Sequence, residues 1–126
     1  MTTATHLTLL EVLEVVGPFS EAEARVSALV TRLEREGVRG LCAMQFYADR
    51  AANELSAVIT FSDPRDMPAH LAMISSWPEF ASFAQSIRIK DMRIHGQLSA
   101  DVEAWIRKFQ GPLRQFPTHI GSFVRA

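Results

Sequence analysis

Two stretches of the chain, Leu7 to Val16 (LTLLEVLEVV) and Gly40 to Ala48 (GLCAMQFYA), are built from residues that suit a pleated sheet, and each is apolar on both faces. Successive side chains of a strand point to opposite sides. The first stretch therefore divides into Leu7, Leu9, Glu11, Leu13 and Val15 against Thr8, Leu10, Val12, Glu14 and Val16. The second divides into Cys42, Met44 and Phe46 against Leu41, Ala43, Gln45 and Tyr47. A sheet made of such strands needs cover on both sides. Apolar surface left in water forfeits roughly 25 cal/mol per Å², and a monomer seldom exposes a contiguous apolar patch larger than roughly 300–600 Å².

The remaining pattern supplies the elements around that sheet. Gly17-Pro18 ends the first strand, and Ser20 with Glu23 forms a capping box that predicts a helix start. Ala22, Val26, Leu29, Val30 and Leu33 follow at helical spacing, and Gly37 supplies the left-handed cap. Glu54 to Phe61 (ELSAVITF) pairs with the second strand as a hairpin across the polar residues 49–53. Asp63-Pro64 opens a second helix with Met67, His70, Leu71 and Ile74 on one face. A second capping box, Ser76 and Glu79, predicts a break near Ser75 and a new apolar face of Phe80, Phe83, Ala84 and Ile87. Ile87 to Leu98 alternates as a last strand, with Ile87, Ile89, Asp91, Arg93 and His95 in one row. Ser99 caps a final helix whose stripe is Val102, Trp105, Ile106 and Phe109, ended by Gly111-Pro112, and Thr118 to Arg125 reads as a short extended tail.

The order is strand, helix, strand, strand, helix, strand. This is an α+β chain of the ferredoxin-like βαββαβ type with an antiparallel sheet. Residues 7–98 form the core and 99–126 a C-terminal helix and tail, within a single domain of 126 residues. Two helices cover one face of such a sheet, so a second copy packed sheet against sheet is the simplest cover for the other. The alternative cover is the C-terminal helix folded back over it.

Composition removes several classes of function. A net charge of −1 with 13 scattered Lys and Arg residues gives no basic field for nucleic acid. No stretch approaches the roughly 20 apolar residues of a membrane span, and residues 1–6 lack the basic start of a secretory signal, so a cytoplasmic protein is expected. Metal-ligand spacing, a Gly-rich phosphate loop and a GxSxG elbow are all missing from the sequence. The single cysteine, Cys42, reads as a buried packing residue.

The strand pair GLCAMQFYADRAANELSAVITF, the segment DPRDMPAHLAMISSWPEF and the closing strand with His95-Gly96 resemble the dimeric α/β barrel proteins typified by antibiotic-biosynthesis monooxygenases. The likeness spans residues 7–98. Such proteins commonly carry a strand ending in an aromatic residue and an acidic turn, then a helix with a His followed further along by a Phe. Phe61, Asp63, His70 and Phe80 match that pattern here. Met73 stands one helical turn before Trp77, where characterised oxygenases of the family carry an Asn. The resemblance implies a ferredoxin-like protomer, a two-fold homodimer and a pocket between sheet and helices for a small aromatic or apolar ligand. Some members oxygenate phenolic or quinol-like substrates with no metal or bound flavin, so no cofactor is implied. Others isomerise lactones or degrade haem.

Candidate residues follow from chemistry of that kind. His70 shares a helix face with Met67, Leu71 and Ile74, so its imidazole points inward, where burial favours the neutral form and a general base; a core histidine bonded to a carbonyl is the structural alternative. Tyr47 at a strand end can donate to a carbonyl or phenolate oxygen, and Arg93 can set a cation near a developing oxyanion, beside His95. Trp77, Phe80 and Phe83 offer an aromatic wall for a flat ligand, or simply core. Glu11 and Glu14 interrupt apolar faces and call for a partner such as Arg93. The expected function is a cofactor-independent monooxygenase-like enzyme acting on a small aromatic or quinol-like compound. A non-catalytic ligand-binding or stress-associated dimer and a lactone isomerase or lyase remain open beside it.

Overall fold

Nine elements succeed one another along the described chain: β1 (Leu7–Val15), α1 (Phe19–Glu36), β2 (Leu41–Asp49), β3 (Glu54–Phe61), α2 (Met67–Ile74), α3 (Pro78–Gln85), β4 (Ile87–His95), α4 (Ala100–Ile106) and β5 (Leu113–Phe116). The computed structural model describes residues 6–38, 40–108, 111–123 and 125. The strands form one sheet in the order β2-β3-β1-β4-β5. The first four are antiparallel neighbours in the ferredoxin-like order.

β5 makes the sheet mixed rather than purely antiparallel. It runs parallel to β4, from Met92 opposite Leu113 to His95 opposite Phe116. Its four residues (LRQF) precede the tail expected at 118–125 and are too short and too polar to announce a strand. Gly111, at φ 141°, lets the returning chain pass the Ile89 carbonyl, which a Cβ would meet at 2.9 Å. Phe109, expected on the stripe of α4, lies outside the described residues, as does Val124 of the expected tail.

Several helix ends match their sequence signals and two do not. Gly37 takes the left-handed conformation and donates to the Leu33 carbonyl at 3.0 Å. Ser99 accepts from the Val102 N–H at the start of α4. Asp63 accepts from the Arg65 N–H and caps a short 3₁₀ turn (Pro64–Asp66) that leads into α2. The Ser20–Glu23 box does not form, because α1 begins at Phe19 and Ser20 already lies in its first turn. Glu23 pairs with Arg50 instead. The break after α2 falls where the Ser75 and Ser76 hydroxyls donate to the Leu71 and Met73 carbonyls. Ser76 is thereby unavailable to cap α3, and Glu79 pairs with Arg32 at 3.1 Å.

Two irregularities of register decide which side chains face the helices. In β4, Asp91 sits opposite Val12 and Ile89 opposite Leu13, so Lys90 is an extra residue and the alternation flips across it. Ile87 and Ile89 consequently join Met92 and Ile94 in the core, whereas Asp91, Arg93 and His95 point the other way. The single row expected from strict alternation is split. In β2, Leu41 pairs with Phe61 and Ala43 with Thr60, which leaves Cys42 as the extra residue, exposed rather than buried.

The core lies between the helices and the inner sheet face. Leu13, Leu29, Leu55 and Phe83 belong to one buried cluster, and Leu7, Phe61, Met67 and Ile94 to a second. Val102 and Ile106 join the second cluster, so α4 covers the same face as the other helices and does not fold over the outer one. At the centre of the outer face Leu10 pairs with Val58 beside Val12 and Ser56. Around them run a Thr8–Thr60 hydroxyl contact and the ion pairs Arg88–Glu14 (2.8 Å), Lys90–Glu54 and Arg93–Asp91 (3.3 Å). No helix among the described residues is long and apolar enough to cross a membrane.

Candidate functional site

A cavity of about 110 Å³ opens between the inner sheet face and the helices. Every element except β5 contributes to its wall, including Trp105 and Ile106 of the C-terminal extension. An engineered cavity of roughly 150 Å³ admits benzene, so this one is scaled to a single ring, with larger ligands requiring side chains to move.

His70 and Glu11 are the polar features of this wall. His70 sits on the inner face of α2, only 4% exposed, with its ring edge-on to Phe61 at 5.1 Å. Its Nδ1 is buried without a hydrogen-bond partner, so the alternative of a core histidine held through Nδ1 by a carbonyl is not what is found. Burial pushes its pKa down to about 4, and the imidazole is neutral at pH 7. Glu11 lies at the middle of β1 on the helix side, opposite Ala57 and Met92. Burial pushes its carboxyl up to about 7. The expected pairing with Arg93 does not occur, because Glu11 and Arg93 lie on opposite faces of the sheet; it is Glu14 that reaches a cation, Arg88.

Of the three residues expected to form an aromatic wall, Phe80 and Phe83 line the cavity, and Phe83 packs edge-on against Phe46 with ring centres 5.6 Å apart. Trp77 is buried in the same core cluster but is not part of the cavity wall; the Arg32 guanidinium lies 4.6 Å from its ring centre.

Tyr47, Arg93 and His95 do not meet His70. Tyr47 follows Phe46 along β2, so with Phe46 inward its own side chain is outward and 58% exposed. Arg93 is held by Asp91, and His95 stacks edge-on against Phe116 of β5 at 5.4 Å. Both belong to the outer face because of the extra residue in β4. Among the lining residues not expected in the pocket from the sequence are Glu11 and Trp105. Glu11 had a visible signal, a carboxylate flanked by Leu9 and Leu13 on the apolar parity of β1. Trp105 had none, since only tertiary packing brings α4 to the cavity. Among the described residues, no group of three or more His, Cys, Asp or Glu is placed to hold a metal ion.

No family model and no curated protein matches the chain. Solved structures do match. SnoaB, a cofactor-independent oxygenase from Streptomyces nogalater, superposes with a TM-score of 0.62 at 14% identity, covering 77% of this chain and 97% of SnoaB. A proposed antibiotic biosynthesis monooxygenase from Chloroflexus aurantiacus gives a TM-score of 0.58 at 12% identity, over 75% of this chain and 95% of its own. The chain has the ferredoxin-like fold of the antibiotic biosynthesis monooxygenases. MupZ from Pseudomonas fluorescens matches over more of the chain, with a TM-score of 0.70 at 12% identity over 93% of this chain and 94% of MupZ. That coverage leaves out fewer than ten of the 126 residues, so it takes in most of the extension after residue 98. At these identities the likeness is one of fold.

Proposed function

We propose that this protein is a cofactor-independent monooxygenase-like enzyme that takes a small aromatic or quinol-like compound into the cavity between sheet and helices. The observation that carries the reading is His70: a buried imidazole with an unpartnered Nδ1, in the wall of an apolar cavity ringed by Phe80 and Phe83. Buried polar groups are almost always satisfied, and a phenolic ligand would satisfy this one. The fold shared with SnoaB supports the same reaction class. In such a reaction a phenol and dioxygen give a quinone and water, one oxygen atom entering the ring and the other leaving as water. The protein's share is to orient the phenol, exclude water and remove its proton.

The test is oxygen uptake with substituted phenols, hydroquinones and 1-naphthol, together with ¹⁸O incorporation into the quinone product. Uptake above buffer with one labelled oxygen is expected; no activity across the panel would refute the reading. A proton-transfer enzyme of the lactone isomerase type is the second reading. It is favoured by the two titratable side chains of the wall, Glu11 and His70, which suffice for a proton transfer that consumes no dioxygen. Turnover without dioxygen would select it. Ligand binding that survives His70→Ala, with no turnover of either kind, would select the non-catalytic binding protein.

We propose further that two copies pack through the outer sheet face, centred on Leu10, Val12 and Val58 and framed by the ion pairs around them. Light scattering should give about twice 14.1 kDa, and Leu10→Arg should return the mass to that of one chain. A single-chain mass for the unaltered protein at micromolar concentration would remove the dimer.

A further inference from the structure

The cavity wall holds two titratable side chains, Glu11 from β1 and His70 from α2. α1, β2, β3, α3, β4 and α4 bring only uncharged residues to it. With no Lys or Arg among the described residues of the wall, a ligand with a fixed negative charge would meet the Glu11 carboxylate and no counter-ion, in surroundings where unpaired charge is costly. Nor does Glu11 have a hydrogen-bond or ion-pair partner among the described residues, although it faces the space a ligand would fill.

We propose that Glu11, rather than His70, is the proton acceptor of this pocket, and that its ligand is a neutral, largely aromatic molecule with one ionisable O–H or C–H bond. The proposal rests on the cavity being a ligand site, as in the function proposed above. The ligand's O–H or C–H bond breaks, its proton passes to a Glu11 carboxylate oxygen, and the electron pair stays on the ligand as a phenolate or enolate. Glu11 loses its negative charge as the ligand acquires one. The net charge inside the apolar cavity is unchanged, which is how a site without a cation can support the step. His70 is a positioning donor: a neutral imidazole carries one N–H, which can hold the ligand oxygen as charge grows on it.

The acid–base character of the two groups agrees with this division. The Glu11 carboxyl, pushed up to about 7 by burial, is a substantial base near neutral pH and remains appreciably ionised there. The His70 imidazole, pushed down to about 4, is a weak base at the same pH. Among the described residues, His70 is the one other titratable group in the cavity wall, and the remaining elements packed around the cavity bring none to it.

The experiment is hydrogen–deuterium exchange at the α-carbon of 2-indanone, a neutral enolisable aromatic ketone, followed by NMR in D₂O without dioxygen. The unaltered protein should exchange it faster than buffer, with a rate that rises through a midpoint near pH 7. Glu11→Gln should lower the rate by about 100-fold, the scale of a general base, and abolish the midpoint. Glu11→Asp should restore part of both, and His70→Ala should slow exchange while keeping the midpoint. A direct ¹³C titration of the Glu11 carboxyl in the unaltered protein needs no variant and should show the same midpoint. Exchange no faster than buffer, Glu11→Gln at the unaltered rate, or a carboxyl titrating at an ordinary value near 4.5 would each overturn the proposal. Exchange with no oxygen uptake on any phenol would remove the monooxygenase reading and leave Glu11 as the base. Oxygenation of 1-naphthol that survives Glu11→Gln would do the reverse.

Discussion

Replacing Glu11 with Gln should change how the protein's stability depends on pH, and the size of the change follows from its position. The carboxyl titrates near 4.5 in an unfolded chain and is pushed up to about 7 in the fold. The gap of about 2.5 pH units corresponds to about 3 kcal/mol at about 1.36 kcal/mol per unit. Below pH 4.5 both states hold the proton and nothing is lost. Between 4.5 and 7 the unfolded chain releases the proton while the folded chain keeps it, so stability falls as pH rises. Above 7 the loss is complete. Gln does not titrate, so the stability of the variant relative to the unaltered protein should increase by up to about 3 kcal/mol between pH 4 and pH 8. Against a typical total of about 5–15 kcal/mol, that is readily measured. Urea unfolding at pH 4, 6 and 8, with protein concentration fixed, supplies the difference. The other ionisable groups are present in both proteins and largely cancel in the comparison. A difference, variant minus unaltered protein, that stays constant or falls from pH 4 to 8 would refute the placement of Glu11 in an apolar cavity.

His70 should produce the opposite limb: its folded pKa lies near 4, so stability falls as pH drops below 6.5 and the unfolded chain takes up the proton first. His70→Leu should flatten that acid limb in the same urea series. Gly96 sits at φ 124°, where an added Cβ would lie 2.8 Å from the His6 carbonyl oxygen. Gly96→Ala should therefore cost about 1–3 kcal/mol and lower the thermal midpoint. Phe83→Ala removes a buried ring packed against Phe46 and should cost about 3–5 kcal/mol. Because Phe83 lines the cavity, the variant should also admit larger ligands than the unaltered protein, which a fluorescence titration with phenol and 1-naphthol would read.

Local chemistry made much of this chain legible. Gly37, Asp63 and Ser99 act at helix ends through backbone groups within a few residues of themselves, so their roles could be read without knowledge of the fold. The inward face of α2, with His70 beside Met67 and Ile74, follows from helical spacing in the same way. Capping boxes failed where another contact was stronger: Glu79 went to Arg32, and the Ser76 hydroxyl to the end of the preceding helix. Tyr47 could have been placed on the outer face by parity with Phe46; its assignment to the pocket required a face that alternation denies it.

The element order from β1 to α4, and with it the ferredoxin-like protomer, was determined by the sequence alone, because turn residues and apolar periodicity act over short distances. So was the presence of a carboxylate in the middle of an apolar strand face. The tertiary structure decided what surrounds that carboxylate. A single extra residue at Lys90 shifts the pairing of β4 against β1, sending Ile87 and Ile89 inward and Arg93 and His95 outward. An extra residue at Cys42 does the same to the start of β2. Such a shift is selected by packing between strands distant in sequence, where burying two isoleucines outweighs regular hydrogen bonding. That choice kept Arg93 out of the cavity and left Glu11 and His70 in an otherwise apolar wall.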